Sequence, residues 1–193
     1  VPDSLTKVFY TANGREVRDG GGVKPDVEVK PDSLPNIAFY LAGASDSNEV
    51  MLNYEVDYIA KHPTIAPAKD FALTDADYDE FKSRVLKADF KYDRETEKYL
   101  KDLEKLAKFE GYYEDARPEF EALKKKLSHN VAKDLDFNKD YIKQLLENDI
   151  VAAYYFQAGA IQNSLRYDKQ VKAAVKLLNS PEEYGKILHP VKK

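Results

Sequence analysis

The sequence predicts a mainly α protein: a helical, bundle-like domain preceded by a short segment of strands and turns. Three observations carry that expectation. Six of the nine prolines lie at or before Pro67, and four of the eight glycines at or before Gly22. Both interrupt regular structure, proline through its fixed φ and missing N–H, glycine through backbone entropy. After Pro67, apolar residues recur at the three- and four-residue spacing that gives a helix one buried face. Finally, 43% hydrophobic and 33% charged residues are enough to close a core and solvate the rest of the surface. The expected organisation is residues 1–45 as strands and turns and residues 46–193 as a helical domain, with the change falling between Gly43 and Pro67.

The elements follow in order. Leu5–Thr11 is β-branched and aromatic, Asn13-Gly14 suits a tight turn with positive φ, and Arg15–Arg18 returns as a second strand. Val23–Val29 alternates like a short strand, which Pro25 confines to an edge or a strand start. Helical signals begin near Leu34–Leu41. Met51, Tyr54, Tyr58 and Ile59 share a face, and Pro63 stops that helix after His62. Thr74 and Asp77 form a capping-box pattern ahead of Tyr78, Phe81 and Val85. Asp93 is the expected cap of a helix carrying the stripe Tyr99, Leu103, Leu106 and Ala107 and ending near Gly111. Phe120, Leu123 and Leu127 mark another helix, with Pro118 in its first turn. After Asp136 comes the longest run, with Ile142, Leu145, Leu146, Ile150 and Tyr154 on one face. Ile150–Phe156 is apolar on all sides, which predicts a central helix buried all round. Val171, Ala174, Val175 and Leu178 form a further stripe, and Ser180-Pro181-Glu182-Glu183 opens a last helix.

Thirty basic residues against thirty-four acidic ones leave a net charge of -4, which makes no electrostatic case for a nucleic-acid partner or an anionic membrane. With no cysteine, disulfide scaffolds, zinc ribbons, iron–sulfur clusters and thiol catalysis are excluded. No apolar run approaches the ~20 residues of a membrane span, and no signal-peptide pattern opens the chain. The chain starts at Val1 rather than Met, which reads as a piece of a longer protein.

Chemical motifs are sparse. Asp134, Asp136, Asn138 and Asp140 alternate like ligands of a calcium loop, but the positions that need glycine and a bidentate glutamate hold Lys139 and Leu145. An acidic approach to a helix N-terminus explains them better. His62, His129 and His189 are isolated and near predicted helix ends, so no metal site is expected. Gly20–Gly22 lacks the Lys-Ser/Thr of a phosphate loop and reads as a turn. Lys124–Lys126 reads as a solvated helix face. The fourteen tyrosines read mostly as half-buried core residues whose hydroxyls need one partner each. None of the eight serines is read as part of a G-x-S-x-G elbow or an S-x-x-K pattern. No cofactor site and no catalytic residue is assigned.

Phe9-Tyr10-Thr11-Ala12-Asn13-Gly14-Arg15, followed by Gly20-Gly21-Gly22-Val23-Lys24-Pro25-Asp26, resembles a segment near the end of the protease domain of the C-terminal processing (tail-specific) peptidases. The later stretches His62-Pro63, Asp70-Phe71-x-Leu73-Thr74-Asp75 and Tyr154-Tyr155-Phe156-Gln157-x-Gly159 look like the helical tail some of these peptidases carry, a looser match. The resemblance implies a parent serine peptidase with a Ser nucleophile, a Lys general base whose pKa is depressed by desolvation, and a PDZ module that selects substrates. In that family the nucleophile and base precede the Tyr-Thr-x-x-Gly-Arg turn, so both are expected upstream of Val1. Tyr10, Thr11, Gly14, Arg15, Gly22, Pro25 and Asp26 carry over as a structural motif alone.

On this reading residues 1–45 are a remnant of the catalytic domain's sheet. The helical domain buttresses the protease, gates its site, or contacts substrate or subunits. The implied partners are the protease and PDZ domains of the same full-length chain, the parent's polypeptide substrates, and other copies in a homo-oligomer. The implied location is the periplasm or cell envelope. Two alternatives stand beside it: a free-standing all-helical interaction module, and a small hydrolase with an unrecognised site. Because an orphan strand edge recruits partners, Leu5–Thr11 is expected to lack fixed order or to pair with a second copy of the chain.

Overall fold

The computed structural model describes residues 2–20, 22, 24–44 and 49–188. The fold is mainly α, as the spacing predicts, with one two-stranded antiparallel sheet among the described residues. The chain divides into two compact units. One, the core unit, is Ser33–Arg166; the other, the terminal unit, combines Val1–Asp32 with Tyr167–Lys193.

The core unit begins with α1 (Asn36–Phe39), which widens into a π-type turn over Tyr40–Ala44 that contains Gly43 at φ 111°. It continues with α2 (Val50–Lys61), α3 (Asp75–Lys87), α4 (Glu95–Phe109), α5 (Arg117–Lys126), α6 (Val131–Phe137) and α7 (Lys139–Ser164). The helix signals hold where they are strongest. His62 is the C-cap of α2. The capping box at α3 is complete: Asp77 N–H donates to Thr74 Oγ1 at 3.1 Å, and Thr74 N–H donates to Asp77 Oδ2 at 2.8 Å. Tyr78, Phe81 and Val85 of α3 pack with Met51 and Tyr54 of α2, Leu135 of α6, and Ile142, Leu146, Ile150 and Val151 of α7 in one continuous core. Burial stabilises by roughly 1.5–3 kcal/mol for each large apolar side chain.

Three expectations are corrected. α4 is capped at Arg94 rather than Asp93, and its side chain makes no capping bond. On α4 only Leu100 is buried, while Tyr99, Leu103, Leu106 and Phe109 face solvent, because no helix covers that stripe within the unit. Ile150–Phe156 is not buried all round. Ile150 and Val151 are fully enclosed, whereas Phe156 is 78% exposed. The helical path breaks there, at φ 56° and ψ −166°. Apolarity on every side of a wheel gave no account of a kink that turns part of the wheel outward.

The terminal unit contains a single helical turn (Asp3–Leu5), the hairpin β1 (Val8–Tyr10) and β2 (Glu16–Arg18), and the helices α8 (Lys169–Leu178) and α9 (Pro181–Leu188). The hairpin register is Val8↔Arg18, Phe9↔Val17, Tyr10↔Glu16, closed by Gly14 at φ 78°. β1 therefore pairs with β2 of its own chain, as the Asn13-Gly14 turn predicts. Val23–Val29 was expected as an edge strand; its described residues, 24–29, join no ladder. Every buried residue among the described ones lies in the core unit; the terminal unit has none.

Candidate functional site

The densest polar constellation is built on α7 and directed at the loop between α2 and α3. Tyr154 Oη donates to the carbonyls of Ile59 (3.3 Å) and His62. Tyr155 Oη donates to those of Ile65 and Ala66, both at 3.2 Å. Asn163 Nδ2 donates to Ala68 O (2.7 Å) and Phe71 O (3.0 Å). Arg166 Nη2 donates to Phe71 O and, at 3.0 Å, to Glu147 Oε2, whose other oxygen accepts from Leu73 N–H at 2.9 Å. The two stretches that resemble a peptidase's helical tail, His62–Asp75 and Tyr154–Gly159, are thus opposite sides of one contact.

The clamp has a physical reason. A loop without a ladder carries backbone groups that burial would leave unpaired, and α7 supplies side chains that pair them. Glu147 and Asn163 are each 1% exposed. Sequence reasoning missed them, although Glu147 interrupts the apolar face between Leu146 and Ile150, a usable signal of a paired buried acid. Gly159 belongs to the same feature: a Cβ there would lie 2.2 Å from Tyr155 Cβ. The constellation holds a loop in place and leaves no poised nucleophile or base.

A second group is less settled. Glu55 of α2 is 8% exposed, and its Oε1 has no hydrogen-bond partner. Burial, with the nearby Asp149 carboxylate adding to it, pushes its pKa up to about 8. Burial also raises Asp149 above the usual carboxylate range, against an opposing hydrogen bond from Asn148.

The motif residues have separate, ordinary partners. Asp134 accepts from Tyr92 Oη at 2.9 Å, Asp136 pairs with Lys82, and Asn138 donates to Asp134 O at 2.8 Å. No group of three metal-capable side chains occurs among the described residues. His62 Nδ1 lies 2.8 Å from Tyr58 O, with its ring stacked on Tyr58 at 4.1 Å. His129 Nε2 stands 3.5 Å from Asp134 Oδ2, and His189 lies outside the described residues. Gly20 and Gly22 have φ of 88° and 78°, and Gly21 lies outside. Lys124 is paired by Glu104 at 2.8 Å and Glu121 at 3.1 Å. The Lys108 and Lys124 ammoniums hold the Glu104 carboxyl down to about 2. Tyr54 and Tyr78 are core residues whose hydroxyls donate to Asp77 O and Leu135 O, and burial raises both well above the usual phenol range. Ser4-Leu5-Thr6-Lys7 does have S-x-x-K spacing, which corrects the reading that no serine stands in that pattern. Both are exposed.

The terminal unit contains a concave apolar feature. A groove of about 730 Å³ runs between residues 25–31 and helices α8 and α9.

The family model for the C-terminal helical domain of a probable PDZ-protease matches residues 37–178. The chain belongs to this family, in agreement with the resemblance read from its motifs. Comparison with curated proteins and with solved structures gave no match.

Proposed function

We propose that this chain is the non-catalytic C-terminal region of a serine endopeptidase of the tail-specific type, and that its core unit is a rigid scaffold for the protease body. Residues 1–45 are the end of the catalytic domain, with the Ser nucleophile, Lys base and PDZ module upstream. Polypeptides are the parent's substrates, and the cell envelope or periplasm is its location. The observation that carries this reading is that residues 37–178 match a PDZ-protease's helical domain, while the hairpin before them has both faces exposed. A two-stranded ribbon is marginal alone and needs a surface to pack on.

The test compares the hairpin in two settings. In the 193-residue chain, limited proteolysis should cut between Val8 and Arg18 rapidly; in the full-length peptidase the same bonds should be protected. Phe9→Asp with Val17→Asp, which charges one hairpin face, should lower peptidase activity in the full-length protein and leave unfolding of the core unit unchanged. Equal protection in both settings would instead favour a free-standing interaction module, for which the exposed Tyr99–Leu103–Leu106 face of α4 speaks.

A further inference from the structure

We infer that the groove of the terminal unit is a binding site for an extended polypeptide segment with alternating apolar side chains and a carboxylate at one end. The groove is lined by Val27, Val29, Ala173, Leu177, Ile187 and Leu188, among others. Its volume of about 730 Å³ lies within the usual range for ligand sites, roughly 300–1,000 Å³.

One wall selects the class of occupant. After a bend at Asp26–Val27, the chain runs from Glu28 to Pro35 without turn or bend. Pro31 and Pro35 fix φ and bias the residues before them to extended conformations. The backbone N–H and C=O groups of Glu28, Val29 and Lys30 have no hydrogen-bond partner among the described residues. Unpaired donors and acceptors beside an apolar trough are what an added strand satisfies, its backbone supplying affinity and its alternate side chains filling the trough.

Charge sets the direction. Of the charged lining residues, Asp26 is paired with Arg15, and Glu28 with Lys24 at 3.8 Å. Lys30 has no ion pair among the described residues, so an acidic or C-terminal group at that end is favoured. The Asp32–Lys169 ion pair joins the end of this wall to α8.

The probe is a fluorescein-labelled six-residue peptide in which valine alternates with serine, ending in glutamate, titrated by anisotropy against the 193-residue chain. Saturable binding with a Kd on the order of 10–100 μM is expected. Methylating two backbone nitrogens of the peptide should weaken it about tenfold, the loss of two hydrogen bonds. Ala173→Glu, on a solvent-accessible helix face and checked by circular dichroism, should abolish binding. Lys30→Glu should reverse the preference to a lysine-ended peptide. No binding, or binding indifferent both to N-methylation and to Ala173→Glu, overturns the proposal. So does sedimentation showing a dimer that Ala173→Glu dissociates, because the groove then belongs to a second copy. The assay needs no peptidase activity, so the scaffold reading can fail independently.

Discussion

Phe81 and Leu178 mark the extremes of one chain: the first is 0% exposed in the core unit, the second 62% exposed in the terminal unit. Both sit on helices with a clear apolar stripe. In α3 that stripe meets α2, α6 and α7, whereas α8 shows Val175 and Leu178 to solvent and buries nothing. The difference teaches that amphipathic spacing declares a need for a partner without supplying one. Within the core unit α2, α3, α6 and α7 meet that need among themselves, while α4 leaves its stripe of Tyr99, Leu103, Leu106 and Phe109 exposed. The terminal unit exposes Leu5, Phe9, Tyr10 and Val27 as well as its helices, and none of its described residues is buried.

Substitution breaks the comparison most directly. Phe81→Ala should destabilise the protein by about 3–5 kcal/mol, transfer and cavity costs together. Leu178→Ala should change stability by less than about 0.5 kcal/mol in the isolated chain, as for an exposed site. Urea unfolding of both variants decides it. A large loss from Leu178→Ala would mean that α8 has a partner in solution.

The second effect separates the units by pH. Glu55 loses its proton near 4.5 when unfolded and near 8 when folded. Between those values the native state holds the extra proton, so this stabilising contribution is full below about 4.5 and is lost as pH rises through about 8. At about 1.4 kcal/mol per pKa unit, the rise from 4.5 to about 8 puts the cost above pH 8 on the order of 5 kcal/mol. Glu55→Gln should therefore stabilise the core unit at pH 9, have little effect at pH 4, and flatten the curve between. Parallel curves for wild type and variant would show that the carboxyl is hydrated.

Much of this fold was legible because its signals are local. The Thr74–Asp77 box, the His62 C-cap and the Tyr78–Phe81–Val85 face each need only a few residues to form. What was not legible depends on distance. The clamp joins Asn163 to Ala68 and Phe71 across more than ninety residues, so nothing in either stretch names the other. The tail-like motifs did point to both stretches without saying that they touch. Gly159 shows why: its lack of a Cβ makes sense only once the kink brings Tyr155 over it. Gly159→Ala should cost about 2 kcal/mol, in the range for overpacking a tight site, with a lower Tm as the readout. A neutral result would mean that the helix straightens there at no cost.

The smallest effect isolates the kink from the packing around it. Phe156 holds φ 56° and ψ −166°, a region adopted almost only by glycine, at a cost of about 1–3 kcal/mol. Its side chain is 78% exposed, so removing it sacrifices little burial. Glycine elsewhere in a helix destabilises, by about 1 kcal/mol relative to alanine, yet at this position it adopts the required backbone without strain. Phe156→Gly should raise stability by about 1 kcal/mol, while Phe156→Ala, which keeps the Cβ and hence the strain, should gain nothing. Thermal unfolding of the pair supplies the answer. If glycine destabilises as much as it does in an ordinary helix, α7 is continuous in solution, and the clamp on the α2–α3 loop must be held by a different geometry.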